Sequence, residues 1–112
     1  MAERMDDLGR FTEQALLIMV SLSDGPKHGY AIIEDIEAIT GQRMGAGTLY
    51  GAIARLEARQ FIEAIEPNGR RRPYRLTGAG ERALKERLNA LAGVVDKGRS
   101  RLQANLATAD AS

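Results

Sequence analysis

The chain contains no cysteine, so neither a disulfide framework nor a thiolate metal site is available to it. Tryptophan is also absent, and the aromatic side chains amount to three tyrosines and two phenylalanines, which rules out a ligand site built from stacked indoles. The single histidine, His28, has no companion for a metal pair or a nucleophile–base arrangement. No glycine-rich phosphate loop with its lysine follows a strand, and Asp35 and Glu37 are expected on the outer side of a helix rather than as a buried acid pair. Catalysis is therefore not expected, and neither is a cofactor nor a bound metal. The longest apolar run, Ala15 to Val20, is far shorter than the roughly 20 residues that span a bilayer. Met1 is followed by Ala-Glu-Arg-Met-Asp-Asp, which has no apolar core segment, so no signal peptide and no membrane partner are expected and the location is read as cytoplasmic.

What is present is an ordinary globular composition, 44% hydrophobic and 28% charged, over 112 residues. That length allows one domain with one appended element, and a domain so small gains from the extra burial of dimerisation. The net charge of +1 conceals an uneven distribution. Residues 1–42 hold three basic and eight acidic side chains, residues 43–75 seven and three, and residues 76–112 six and four. Positive charge is concentrated in the middle third, as a localised anion-binding face requires.

Residues 1–9 are polar and aperiodic and read as a flexible arm. Thr12 is the expected N-cap of a first helix reaching Ser23, apolar nearly all round, which must be covered on more than one side. A second helix is expected from His28 to Thr40, with Ile32, Ile36 and Ile39 at helical spacing and Gly41 as its stop. The third runs from Gly45-Ala46-Gly47 to about Gln60 on an inner stripe of Leu49, Ala52, Ile53 and Leu56. Phe61–Ile65 and Arg72–Leu76 read as two strands joined through the turn signal Pro67-Asn68-Gly69. Thr77 then caps a last helix whose first turn is weakened by Gly78 and Gly80. The fold class is α+β, mostly α: a winged helix-turn-helix of three helices and a two-stranded wing, followed by a long C-terminal dimerisation helix. The domain division is an arm over 1–9, a DNA-binding domain over 10–77, the dimerisation helix over 78–107 and a tail over 108–112.

That order of elements suits duplex DNA, because the third helix fits a major groove about 12 Å wide while the hairpin reaches the backbone or an adjacent groove. The hairpin carries Arg70, Arg71 and Arg72 with Arg75 further along, and planar guanidinium forks match phosphate oxygens. Gly47, Gly51, Ala54 and Ala58 lie opposite the inner stripe of the third helix, a face small enough for the helix backbone to approach DNA closely. Thr48, Tyr50 and Arg55 reach out from its flanks. With few amides or guanidinium groups on that face, reading by DNA shape and backbone contact is expected over direct base pairing. Tyr30 is expected in the core or with its hydroxyl on the backbone, and Tyr74 is expected to pack.

His28-Gly29-Tyr30-Ala31-Ile32, Gly47-Thr48-Leu49-Tyr50, Arg55-Leu56-Glu57 and Gly69-Arg70-Arg71-Arg72-Pro73-Tyr74-Arg75-Leu76-Thr77, in this order, resemble the PadR family of bacterial transcriptional regulators. The resemblance covers about Phe11 to Leu84, and the single C-terminal helix is similar to the family's smaller subtype. It implies a homodimeric winged-helix regulator, usually a repressor, whose C-terminal helices pair and which in many members leaves DNA on binding a small molecule. Gly51 stands where many members have proline.

In the last helix Leu84, Leu88, Leu91, Val95, Gly98 and Leu102 alternate gaps of four and three, the spacing of a helix–helix seam. Pairing of this seam, together with Leu16 and Val20 of the first helix, with a second copy would set two recognition helices roughly 34 Å apart, one DNA turn, on an inverted-repeat operator. The expected partners are thus double-stranded DNA, a second copy and a small hydrophobic effector between the first and last helices of opposite subunits. A winged-helix protein-interaction module and a non-specific architectural DNA binder are the alternatives.

Overall fold

Residues 13–65 and 72–111 are described by the computed structural model, with side chains through 108. The first helix, α1, covers residues 13–22 within that range; the arm, the Thr12 cap, the turn at 67–69 and Arg70 and Arg71 lie outside the described residues. Ala15, Ile18, Met19 and Leu22 of α1 are buried, while Leu16, Leu17 and Val20 are only half-buried against the same core.

Helix α2 spans Gly29–Thr40 and ends where Gly41 takes a left-handed conformation, φ 79°, and donates its N–H to the Glu37 carbonyl at 2.8 Å. Ile32, Ile33 and Ile36 are its buried side chains. Ile39, expected to complete this stripe, is instead 51% exposed, because the last turn of α2 runs past the cover of its neighbours. Helix α3 spans Ala46–Ala58 and buries Leu49, Ala52, Ile53 and Leu56, the stripe expected from their spacing. Together with Ile62, Tyr74 and Leu84 these residues form one core.

The sheet has three strands rather than the expected two. Strand β1 (Lys27–His28) joins β2 (Ile62–Ala64) and β3 (Pro73–Leu76) in the order β1-β3-β2, antiparallel throughout. Tyr74 of β3 lies between Lys27 and Ala64 in register. A two-residue strand has no room for alternation, so periodicity could not announce β1. Its position is fixed by Lys27, which donates to the Ser21 carbonyl and the Asp24 carboxylate and also approaches Asp35. Buried Ser21 in turn donates to Asp35 at 2.7 Å, so α1, β1 and α2 share one polar junction.

Helix α4 spans Gly78–Ala111. Thr77 caps it by accepting the Gly80 N–H at 3.0 Å, while donating its hydroxyl to the Gln60 carbonyl at 2.6 Å and its own N–H to the Phe61 carbonyl at 3.0 Å. A β-carbon on Gly80 would stand 1.9 Å from that Phe61 oxygen. The glycine that weakens the first turn is therefore what lets α4 start flush against the α3–β2 corner. Gln60 makes that corner with a positive φ of 63°. Only the start of α4 packs on the domain, through Leu84 and Ala83; beyond Leu91 every described side chain is exposed. The helix accounts for the long axis of a molecule measuring 66 × 33 × 23 Å.

Candidate nucleic-acid interface

Two surfaces of α3 differ sharply. Opposite its buried stripe, Gly47, Gly51, Ala54 and Ala58 are all exposed, and a β-carbon added at Gly47 or Gly51 would meet nothing within 4 Å. Thr48 and Arg55 are exposed on the flanks of this face, and Tyr50 is 49% exposed. Gly45 precedes α3 without a side-chain cap, and no acidic residue occupies the first turn, so the positive end of the helix dipole is left uncompensated there. Thr48 belongs to a groove shared with α1 and the α2–α3 link, beside Arg43 and Met44.

Tyr50 points the other way, to a cleft of about 670 Å³ between the start of α2, α3 and the root of the wing. All three tyrosines of the chain and its only histidine line this cleft, with Arg72 and Glu34. The Tyr50 hydroxyl lies against Gly29, 2.2 Å from where a β-carbon would stand, so only glycine at the start of α2 leaves the phenol in this place. Tyr74 is buried, as expected of a packing residue, and burial raises its phenol above the ordinary value, reinforced by the negative charge of Glu57 and opposed by the nearby Arg72 guanidinium. His28 Nδ1 is buried with no hydrogen-bond partner among the described residues.

Tyr30 corrects an expectation. It is 62% exposed rather than in the core, and the Arg43 guanidinium sits 5.6 Å from its ring centroid. Arg43 also donates to Glu37 at 2.8 Å, and these two neighbours, the carboxylate first, raise its already high pKa. Sequence patterning assigns no role to Arg43 or Glu34; the charge balance of residues 43–75 is the one signal that includes Arg43. Arg75 is set apart from the other wing arginines, since it donates to Glu63, its direct cross-strand neighbour, at 2.8 Å. Of the arginine run only Arg72 lies among the described residues, and it is exposed.

On α4 the spacing of the seam is kept, with one correction. Leu84 is 5% exposed and belongs to the core of its own chain, because the first turns of α4 lie on β3 and the α3–β2 corner. Leu88, Val95 and Leu102 are 44%, 47% and 66% exposed, Leu91 is half-buried, and Leu106 continues the row at 63%. Among the described residues no helix is long and apolar enough to cross a membrane.

A three-helix unit whose third helix stands beside a β-hairpin, with a long helix leaving from the hairpin's far strand, is a winged helix-turn-helix of the kind found in transcription regulators. The chain matches the model of the transcriptional regulator PadR-like family over residues 18–86 and belongs to that family, a family of regulators rather than enzymes. It is similar to an uncharacterised 37.1 kDa protein in a transposon of Streptomyces fradiae, 46% identical over 83 residues. That alignment takes in 74% of this chain and 24% of the relative, so the chain spans about a quarter of that protein's length. Among solved structures, a PadR family transcriptional regulator from Eggerthella lenta is 29% identical, with a TM-score of 0.62 over 90% of this chain and 93% of that one. A PadR-like regulator from Bacillus cereus shares the fold at 20% identity, with a TM-score of 0.72 over 86% and 95% of the two chains.

Proposed function

We propose that this protein is a homodimeric repressor that binds an inverted-repeat operator in the cytoplasm through α3 and the wing. The observation that carries the reading is that one winged-helix unit displays an open small-residue face on α3 and, separately, a cleft at the wing root lined by Tyr50 and the exposed Arg72. Gly47 and Gly51 let the α3 backbone approach the groove, Thr48, Tyr50 and Arg55 flank it, and Arg70, Arg71 and Arg72 hold phosphates from the wing. Residues 10–77 act as the DNA-binding domain. The row of Leu88, Leu91, Val95 and Leu102, with Leu16 and Val20, supplies the pairing surface: an apolar stripe along a helix that leaves its own domain is stabilised only by cover from another chain. A small hydrophobic effector between α1 and α4 of opposite subunits would act by preferring one dimer geometry over another.

Footprinting of the DNA upstream of its own gene tests this reading. The expected result is two protected half-sites whose centres lie about one helical turn apart. Uniform protection without half-sites would favour a non-specific architectural role, and absence of protection a protein-binding module.

A further inference from the structure

We propose that Lys27 is a positioning residue for DNA binding: it locks the end of α1 to β1 and, through the pairing of β1 with β3, sets the pose of Arg72 at the root of the wing. The proposal rests on the DNA-binding reading above and adds the part of the fold that holds the wing in place.

The far end of β3 is fastened by Thr77, which bonds to Gln60 and Phe61 at the α3–β2 corner. The near end, where Arg72 leaves the sheet, lies between the hairpin's other arm and β1, with Pro73 opposite His28 and Tyr74 opposite Lys27. Strand β1 is two residues long, too short to hold a register by its own ladder. What holds it is the Lys27 side chain, only 19% exposed, whose ammonium donates to the Ser21 carbonyl in the last turn of α1 and to the Asp24 carboxylate.

The same ammonium stands 4.0 Å from Asp35 of α2, and that carboxylate accepts the buried Ser21 hydroxyl at 2.7 Å. The turn between α1 and β1 is closed as well. Ser23 donates its hydroxyl and its N–H to the Val20 carbonyl at 2.6 and 3.1 Å, and Gly25, at φ 141°, donates to the Leu22 carbonyl at 3.2 Å. The end of α1, the turn and β1 therefore form one body, and β1 passes its position on to Pro73 and Arg72. Ion pairs at this depth add little net stability, so loss of the lysine is felt in the pose of the wing more than in melting.

The test is a pair of double-mutant cycles on the full chain with its footprinted duplex, read by anisotropy well below the melting midpoint of every variant. Lys27→Met keeps the length of the side chain and removes its charge. In Lys27→Met with Arg72→Gln, the combined loss of affinity should fall short of the product of the two single losses by about threefold or more. In Lys27→Met with Arg55→Ala, on α3, the losses should multiply to within about twofold, because this junction does not hold α3. Asp24→Asn with Asp35→Asn should weaken binding by about threefold although it removes two negative charges. Tighter binding in that variant would mean that Lys27 meets phosphate itself, and would overturn the positioning role. So would an equal shortfall in both cycles, the mark of general loosening. Losses that multiply in the Arg72 cycle, with salt-dependent binding kept, overturn it too and leave the DNA-binding reading standing. If the wild type binds no duplex at low salt, both fail. Should Lys27→Met not fold, the paired asparagine change replaces it in both cycles with the same expected outcomes.

Discussion

The hydroxyl of Tyr50 occupies space that a side chain on Gly29 would need, 2.2 Å from the absent β-carbon. The clash is with the far end of a side chain that can swing away, so Gly29→Ala is expected to cost little stability, under about 1 kcal/mol. It should displace the phenol and lower DNA affinity by about as much as Tyr50→Phe, and the two changes together should cost no more than either alone. Anisotropy titrations of the two variants and the double variant check this; additive losses would show that Gly29 acts by another route.

Two helical glycines should respond to alanine with opposite signs. Intrinsic propensity favours alanine by roughly 1 kcal/mol in a helix interior. At Gly51 nothing lies within 4 Å of the new β-carbon, so Gly51→Ala should be more stable by up to that amount while binding DNA less well. At Gly80 the new β-carbon meets the Phe61 carbonyl at 1.9 Å, a backbone atom already accepting from Thr77. Overpacking of this kind costs about 1–3 kcal/mol and outweighs the propensity gain, so Gly80→Ala should melt lower by several degrees. Thermal unfolding of both variants reads the difference directly.

The α4 row separates folding from pairing. Val95→Asp with Leu102→Asp places charges on an exposed stripe and should yield a folded monomer with unchanged helix content. Leu84→Ala should leave the subunit count alone at low temperature but lose about 2–4 kcal/mol, since this leucine fills the core of its own chain. Light scattering coupled to size exclusion, with melts in parallel, distinguishes the two effects.

Alkaline pH should reveal Tyr74. Its phenol is raised above the ordinary value of 10.0, chiefly by burial. A group whose folded pKa is raised holds its proton in the folded state after the unfolded chain has released it. Its contribution is therefore complete below about pH 10 and is lost as pH climbs through the folded value. Wild-type stability should fall over that window, and Tyr74→Phe should flatten the fall; equal slopes in denaturant titrations above pH 10 would contradict this.

Much of the fold was legible because its periodicities are strong. The inner stripe of α3, the Gly41 stop, the Thr77 cap and the winged-helix order all follow from spacing and local backbone chemistry. The strand β1 was not, because two residues carry no period and its pairing partner, β3, is remote in sequence. Ile39 and Leu84 show the complementary difficulty: a helical stripe identifies a face but not how far the neighbouring elements extend along it. The candidate site was legible in part. Tyr50, Arg72 and the small face of α3 were readable from residue type and position, whereas Arg43 over Tyr30, and the gathering of all three tyrosines in one cleft, depend on how α2 meets the wing. Gly80 appeared as a weakness of α4 because a close approach to a backbone oxygen leaves no mark on a helical wheel.

The most direct test of the account is the salt dependence of binding to the footprinted duplex, measured for the wild type and for the triple change of Arg70, Arg71 and Arg72 to glutamine. In the proposed dimer two wings with three arginines each would neutralise about six phosphates, so log affinity against log salt should fall with a slope of about −5 or steeper, shrinking toward zero in the triple variant. Binding that is indifferent to salt, or a slope the triple change leaves intact, would contradict the claim that this fold meets DNA through its wing.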